Sequence, residues 1–188
     1  MKNLFILSGP SGAGEDSIIR ELGKKIPIDI VKTTSTRTMR IGESQGNPYY
    51  FIDEKNFKKG LEENKFFEWA KQYNDNYYGV TYDEIERVKK SNKIGIWKIE
   101  YQGVITVKKL MPQIPAILIY APLEQLEGRI RRRDKIRDEK FFQDRMTYSK
   151  KFYEHRNIYD YEVNNFDGKL AEAVENIMQI IKNHKKPS

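Results

Sequence analysis

The feature that most constrains this chain is a glycine loop caught between an apolar run and a helix. Residues 4–7 read Leu-Phe-Ile-Leu, residues 9–17 read Gly-Pro-Ser-Gly-Ala-Gly-Glu-Asp-Ser, and Ile18, Ile19 and Leu22 follow at helical spacing. A strand, a glycine turn and a helix in that order make a phosphate cradle. Glycines let successive N–H groups turn inward, and the N-terminal end of the helix brings its partial positive charge to the same spot. Gly9 and Gly14 occupy the two glycine positions of the phosphate-loop pattern G-x-x-x-x-G-K-[ST]. The lysine position, however, holds Glu15, and the hydroxyl position holds Asp16. The candidate phosphate-binding residues are Gly9, Ser11, Gly12, Ala13, Gly14, Glu15, Asp16 and Ser17.

Such a start belongs to an α/β protein in which buried strands feed helices, and the rest of the chain keeps that rhythm. Apolar β-rich runs at 4–7, 28–33, 94–99, 116–120 and 161–163 alternate with helical stretches at 16–25, 54–63, 82–91, 101–110, 123–132, 138–157 and 167–183. Between the second and third runs lies an insertion, 34–88, rich in Tyr, Asn and Gly, whose segments Tyr-Tyr-Phe-Ile and Phe-Phe-Glu-Trp-Ala-Lys-Gln-Tyr read as a small subdomain with its own strands. With 188 residues, 38% of them hydrophobic, a single domain with a substantial core is expected. The absence of cysteine excludes a disulfide framework, a thiol nucleophile and a thiolate metal site. The chain enters its first strand without a charged leader and has no run of eighteen apolar residues, so a soluble, cytoplasmic protein without membrane attachment is expected. A formal charge of +7, concentrated in Arg-Ile-Arg-Arg-Arg-Asp-Lys-Ile-Arg at 129–137 and in the tail 182–186, favours polyanionic partners. Nucleic acid is the less favoured partner, because no groove-reading or base-stacking module accompanies the charge.

Four further segments stand in order along the chain: TTSTRTMRIGESQGNPYYF at 33–51, FFEWAKQYNDNYYG at 66–79, IEYQGV at 99–104 and YDYEVNN at 159–165. Together with the glycine loop they resemble guanylate kinase over essentially the whole chain. The resemblance implies a parallel-sheet core of the phosphate-loop NTPase kind at 1–33 and 89–188, flanked by helices, an inserted GMP-binding subdomain at 34–88, and a mobile lid at about 129–148. It implies an enzyme that moves a phosphoryl group from ATP to GMP or dGMP with Mg2+. Monomer and homodimer are both compatible with it.

By the same resemblance Arg37, Arg40, Tyr49 and Tyr78 hold the acceptor phosphate, and Thr33, Glu68 and Glu100 the guanine. The chemistry suits these residues. Guanidinium forks match a phosphate dianion, and a fixed carboxylate can accept both the N1–H and the exocyclic amine of guanine. Val80 stands where the family carries a hydroxyl, so one base contact is expected to be missing. The lid arginines map to Arg133 and Arg145, with Arg129, Arg131 and Arg132 as alternatives, and Asn164 or Asn165 falls near the adenine.

The oddity at Glu15 has a counterpart. Where the family pattern D-x-D-x-Q-G places its first acid, this chain carries Lys98, and the second acid survives as Glu100. Charge looks exchanged between two neighbouring positions. Unit charges ~4 Å apart interact by roughly 4 kcal/mol at an effective dielectric near 20, so an uncompensated Glu15 opposes triphosphate binding. Two arrangements follow. Either Lys98 reaches the phosphates from the strand side, or it pairs with Glu15; in both, Asp16 serves Mg2+. The rival reading is a protein that binds GMP or a phosphorylated partner through the subdomain and has lost phosphoryl transfer.

Overall fold

The computed structural model describes residues 3–71, 75–134 and 139–185. Its first strand, β1 (Leu4–Ser8), is buried along its whole length. Phe5 and Leu7 point to one face and join Ile18, Ile19 and Leu22 of α1 (Glu15–Lys25), while Leu4 and Ile6 join a second cluster on the opposite face. A strand sandwiched in this way cannot alternate apolar with polar, which is why the sequence shows an unbroken run. Each of these side chains contributes about 1.5–3 kcal/mol on burial.

Beside β1 lie β2 (Ile28–Ile30), β7 (Ile94–Lys98), β8 (Ala116–Tyr120) and β9 (Tyr161–Asn164), all parallel, in the order β2-β7-β1-β8-β9. Register pairs Leu7 with Lys98 and Ser8 with Leu118. Strand order therefore reverses around β1, and the crevice at its carboxyl end is where open α/β sheets take ligands. Helix α1 packs against α7 (Leu170–Lys185) on one face of the sheet. The other face is covered by α3 (Tyr82–Lys90) and α4 (Tyr101–Leu110) through Ile85, Val88, Val104 and Val107.

The insertion forms its own sheet, ordered β4-β3-β6-β5, from β3 (Thr34–Ser35), β4 (Tyr50–Phe51), β5 (Phe66–Lys71) and β6 (Tyr77–Thr81). Helix α2 (Glu54–Glu62) starts at Asp53, whose carboxylate accepts from the Asn56 N–H at 2.7 Å. Phe67 and Val80 of this sheet belong to the same buried cluster as Trp97 and Val31 of the core, so the two sheets share one apolar interior.

Several boundaries depart from the sequence reading. The second strand, expected to run to Thr33, ends at Ile30; the Val31 N–H still donates to the Ile96 carbonyl, and the chain then leaves the core sheet to enter β3 at Thr34. Within the expected helix 138–157 the described residues form α6 (Glu139–Glu154), followed by a 3-10 turn at Arg156–Ile158. Helix α5 spans Leu123–Asp134. Residues 135–138 of the expected lid, and residue 186 of the basic tail with the two residues after it, lie outside the described residues.

Candidate active site

The loop after β1 adopts the cradle its glycines permit. Gly12 and Gly14 take φ values of +88° and +97°, a region that side-chain-bearing residues avoid. A Cβ on Gly9 would stand 2.8 Å from the Ile119 carbonyl oxygen. Helix α1 opens directly on Gly14, with Glu15 and Asp16 in its first turn, where the helix dipole favours negative charge.

A cleft of about 280 Å3 opens above this loop. Its walls bring together residues from distant parts of the chain: Gly9, Ser11, Gly12, Glu15 and Asp16 from the loop and the start of α1, Thr33 from the segment before β3, Tyr49, Glu68 and Tyr78 from the subdomain, Lys98 from the end of β7, Glu100 from the N-cap of α4, and Arg133 and Arg145 from α5 and α6. Gly14 and Ser17 face a neighbouring depression, shared with Arg129 and Asn165, and Ala13 is buried beneath the loop.

Two of the expected residues stand off the cleft wall. Arg37 is held by Glu43, Nη2 to Oε1 at 2.8 Å, and its guanidinium lies 5.4 Å above the Tyr49 ring. Arg40 is exposed, and its backbone N–H donates to Glu43. Glu43 thus occupies the guanidinium that sequence reading assigns to a phosphate. Val80 is fully buried in the cluster with Phe67 and Trp97 and gives the cleft no hydroxyl.

Charge pairing differs from one of the two expected arrangements. Lys98 Nζ bonds to Asp16 Oδ1 at 2.6 Å, and no bond joins it to Glu15. Both first-turn acids of α1 share the cleft with Lys98, and the bond goes to Asp16. Burial alone would lower the Lys98 ammonium, but Asp16, Tyr49 and Glu15 together hold it above its ordinary range. Glu15 keeps a backbone hydrogen bond, and burial pushes its carboxyl up to about 7 against the pull of Lys98. Glu68 and Glu100 are likewise raised to about 7 by burial, Glu100 against the pull of Lys98, Tyr148 and Arg145. Glu68 is only 7% exposed, and among the described residues no charge or donor offsets its burial. Buried carboxylates are ordinarily paired, so this one suits a ligand that supplies donors.

The oxygen donors here also suit Mg2+, which binds through one or two carboxylates together with substrate phosphates and water. Asp16 is 82% exposed on its side chain, and Lys98 engages Oδ1 only. Among the described residues no group of three or more His, Cys, Asp or Glu side chains forms a protein-only metal cage.

The structure adds contacts that the sequence did not reveal. Arg129, an alternative lid arginine, donates to the carbonyls of Gly12 at 3.1 Å and Asn165 at 2.8 Å and pairs with Asp167, so it braces the glycine loop. Asn165 donates from Nδ2 to the Ala13 carbonyl at 2.7 Å. Arg131 is spent on Glu127, Glu139 and the Phe142 ring, whereas Arg133 reaches Ser11 Oγ at 3.3 Å. Tyr148 of α6 also lines the cleft.

Comparison with known proteins bears on this arrangement directly. The family pattern described as guanylate kinase matches residues 1–184. The chain belongs to the guanylate kinase family. It is 37% identical over 177 residues to a guanylate kinase of Shewanella violacea, covering 92% of this chain and 84% of the relative. With a guanylate kinase of Pseudoalteromonas translucida the identity is 36% over 180 residues, covering 94% and 86%. The crystal structure of guanylate kinase from Anaplasma phagocytophilum superposes with a TM-score of 0.77 at 23% identity, covering 98% of this chain and 87% of that one. A shikimate kinase from Acinetobacter baumannii gives 0.53 at 14% identity, covering 98% and 96%, so the phosphate-loop fold extends beyond the family. By family the protein is a nucleoside monophosphate kinase. No described helix is long and apolar enough to cross a membrane.

Proposed function

We propose that the protein transfers the terminal phosphoryl group of ATP to GMP or dGMP, releasing ADP and GDP or dGDP. The observation that carries this reading is the shared cleft: a buried Glu68, without a charged or donor partner among the described residues, and Thr33 line the same space as the glycine loop, Lys98, Arg133 and Arg145. Glu68, Thr33 and Glu100 take the guanine. Tyr49 and Tyr78 donate to the acceptor phosphate, and Arg37 and Arg40 join them when Glu43 gives way to the dianion. The glycine loop cradles the donor phosphates with its N–H groups, and Asp16, whose side chain is exposed beside them, would hold Mg2+. The ion, when bound, neutralises donor charge.

An anionic acceptor oxygen attacks the terminal phosphorus, one P–O bond forms, and the bond to the ADP oxygen breaks. No general base is needed, since the attacking oxygen carries no proton at neutral pH. Catalysis is then positioning plus stabilisation of charge on the transferred group. Lys98 supports this role: its ammonium bonds to Asp16 at the start of α1 and shares the cleft with Tyr49, whose charge it feels. Glu15 favours a second reading, in which the acceptor half binds GMP or a phosphorylated partner and the donor half is inactive.

Release of ADP from ATP in the presence of GMP and Mg2+ separates the two. The leading reading expects turnover, with Lys98→Ala reducing kcat by about 10²- to 10³-fold, and with the double exchange Glu15→Lys, Lys98→Asp retaining activity. Full activity in Lys98→Ala sinks the role given to Lys98, and GMP binding without any ADP release leaves the receptor reading in place.

A further inference from the structure

Successive side chains of a strand point to opposite faces, and in β5 the neighbours Phe67 and Glu68 are each only 7% exposed. Phe67 joins the cluster around Trp97, while Glu68 lines the cleft. Between Phe66 and Glu68 the register of β5 against β6 shifts, an irregularity of the kind that re-aims a side chain beside a site. The strand thus delivers a carboxylate to the cleft. Where that carboxylate comes to rest is decided by a second element.

Helix α4 packs against β5, and its third residue, Gly103, is buried. A Cβ on Gly103 would stand 3.2 Å from Glu68 Oε2, and 3.3 and 3.4 Å from Cδ1 and Cβ of Ile99. All three lie inside the separation of about 3.5–4.0 Å at which carbon contacts are most favourable. The backbone does not ask for glycine here, since Gly103 is not one of the positive-φ residues. Helix propensity argues against it, glycine being the poorest helix former after proline. What glycine supplies at this position is room, and the nearest group to that room is the Glu68 carboxylate. The first turn of a helix also favours negative charge, which suits a carboxylate placed beside it.

We propose that Gly103 is a positioning residue for the acceptor base: by carrying no side chain it seats the Glu68 carboxylate against the first turn of α4 and so fixes where that carboxylate meets guanine. This rests on the role given to Glu68 under the proposed function. A carboxylate that accepts from both N1–H and the exocyclic amine has to match two donors at once, and such groups must be held within about 0.5 Å of their working geometry. A methyl at position 103 would press first on Glu68 Oε2, its nearest neighbour. Its cost therefore falls on recognition of the base.

Gly103→Ala tests the seat, alone and combined with Glu68→Ala. In the nucleotide-free protein, urea midpoints of the parent, the two single variants and the double variant report on the contact itself. Gly103→Ala should shift the midpoint more favourably in the Glu68→Ala background, where the helix still gains an alanine and the methyl no longer meets a carboxylate. In steady-state kinetics Gly103→Ala should raise KM for GMP about tenfold, with kcat and KM for ATP within about twofold, and should add nothing to the loss in kcat/KM for GMP when Glu68 is already alanine. Equal midpoint shifts in both backgrounds overturn the proposal, as does an unchanged KM for GMP or a loss in kcat that matches the rise in KM. Should the parent protein fail to turn over GMP, the functional reading falls on that result, while the midpoints still decide whether Gly103 seats Glu68.

Discussion

At the scale of single residues, the cleft is a set of carboxyl groups kept from easy ionisation, and Glu68 is the simplest of them because burial is its one cause. Its carboxyl is raised from 4.5 to about 7. Between those values the unfolded chain has already lost the proton that the folded protein keeps. Stability therefore falls as pH rises from 4.5 to 7, by about 3 kcal/mol for this group. Glu68→Gln mimics the protonated acid. Its melting temperature should match the parent near pH 5 and exceed it by about 5 °C or more near pH 8, with affinity for GMP falling by roughly 10- to 100-fold through loss of a charge-assisted pair. Thermal melts of both proteins at the two pH values decide it: an equal difference at both rules out a buried ionisation. Glu68 was legible in the sequence because Trp69 and the tyrosine-rich segment fix its place in a known pattern. The Lys98 partner was half legible. That positive charge had moved to the strand end could be read from two substitutions, but whether it meets residue 15 or residue 16 depends on the rotation of α1, which no spacing rule supplies.

Among elements, the strand, glycine loop and first helix depend on a side chain far along the chain. Asn165 fills the space beside Gly14: a Cβ there would lie 2.5 Å from its Nδ2, the atom that donates to Ala13. Gly14→Ala should destabilise by about 2–4 kcal/mol, from left-handed strain of about 1–3 kcal/mol and a disturbed buried hydrogen bond. In an Asn165→Ala background the same substitution should cost clearly less, because the clash has gone. Urea midpoints for the four proteins test the coupling, and strict additivity would rule it out. The long apolar strands and the helical stretches were readable in advance. The strands at Thr34–Ser35 and Tyr77–Thr81 were not, since a two-residue strand has no period and Gly79 interrupts the second. Arg129 was unreadable for another reason: in a run of arginines only the fold decides which one turns back to a loop carbonyl.

For the whole molecule, the insertion is bound to the core by common packing and is more than a tethered flap. Phe67 on β5 is 7% exposed, with its ring 5.7 Å from that of Trp97 on β7. Phe67→Ala should cost about 3–5 kcal/mol. Core and subdomain should still unfold together. The two tryptophans report on the two parts separately, Trp97 from the central sheet and Trp69 from the subdomain edge. Single-tryptophan variants should give coincident denaturation curves, and an earlier transition at Trp69 would show a separable subdomain.

The bond between Lys98 and Asp16 spans two elements that meet only after folding. Its history is consequently constrained. Restoring lysine at position 15 alone would crowd two ammonium groups onto one aspartate, and restoring an acid at position 98 alone would strip the counter-ion from a cluster of carboxylates. Neither single step is neutral. A lineage carrying this arrangement can return to the usual one only by changing both positions within a short interval, so drift tends to preserve the exchange once it is made.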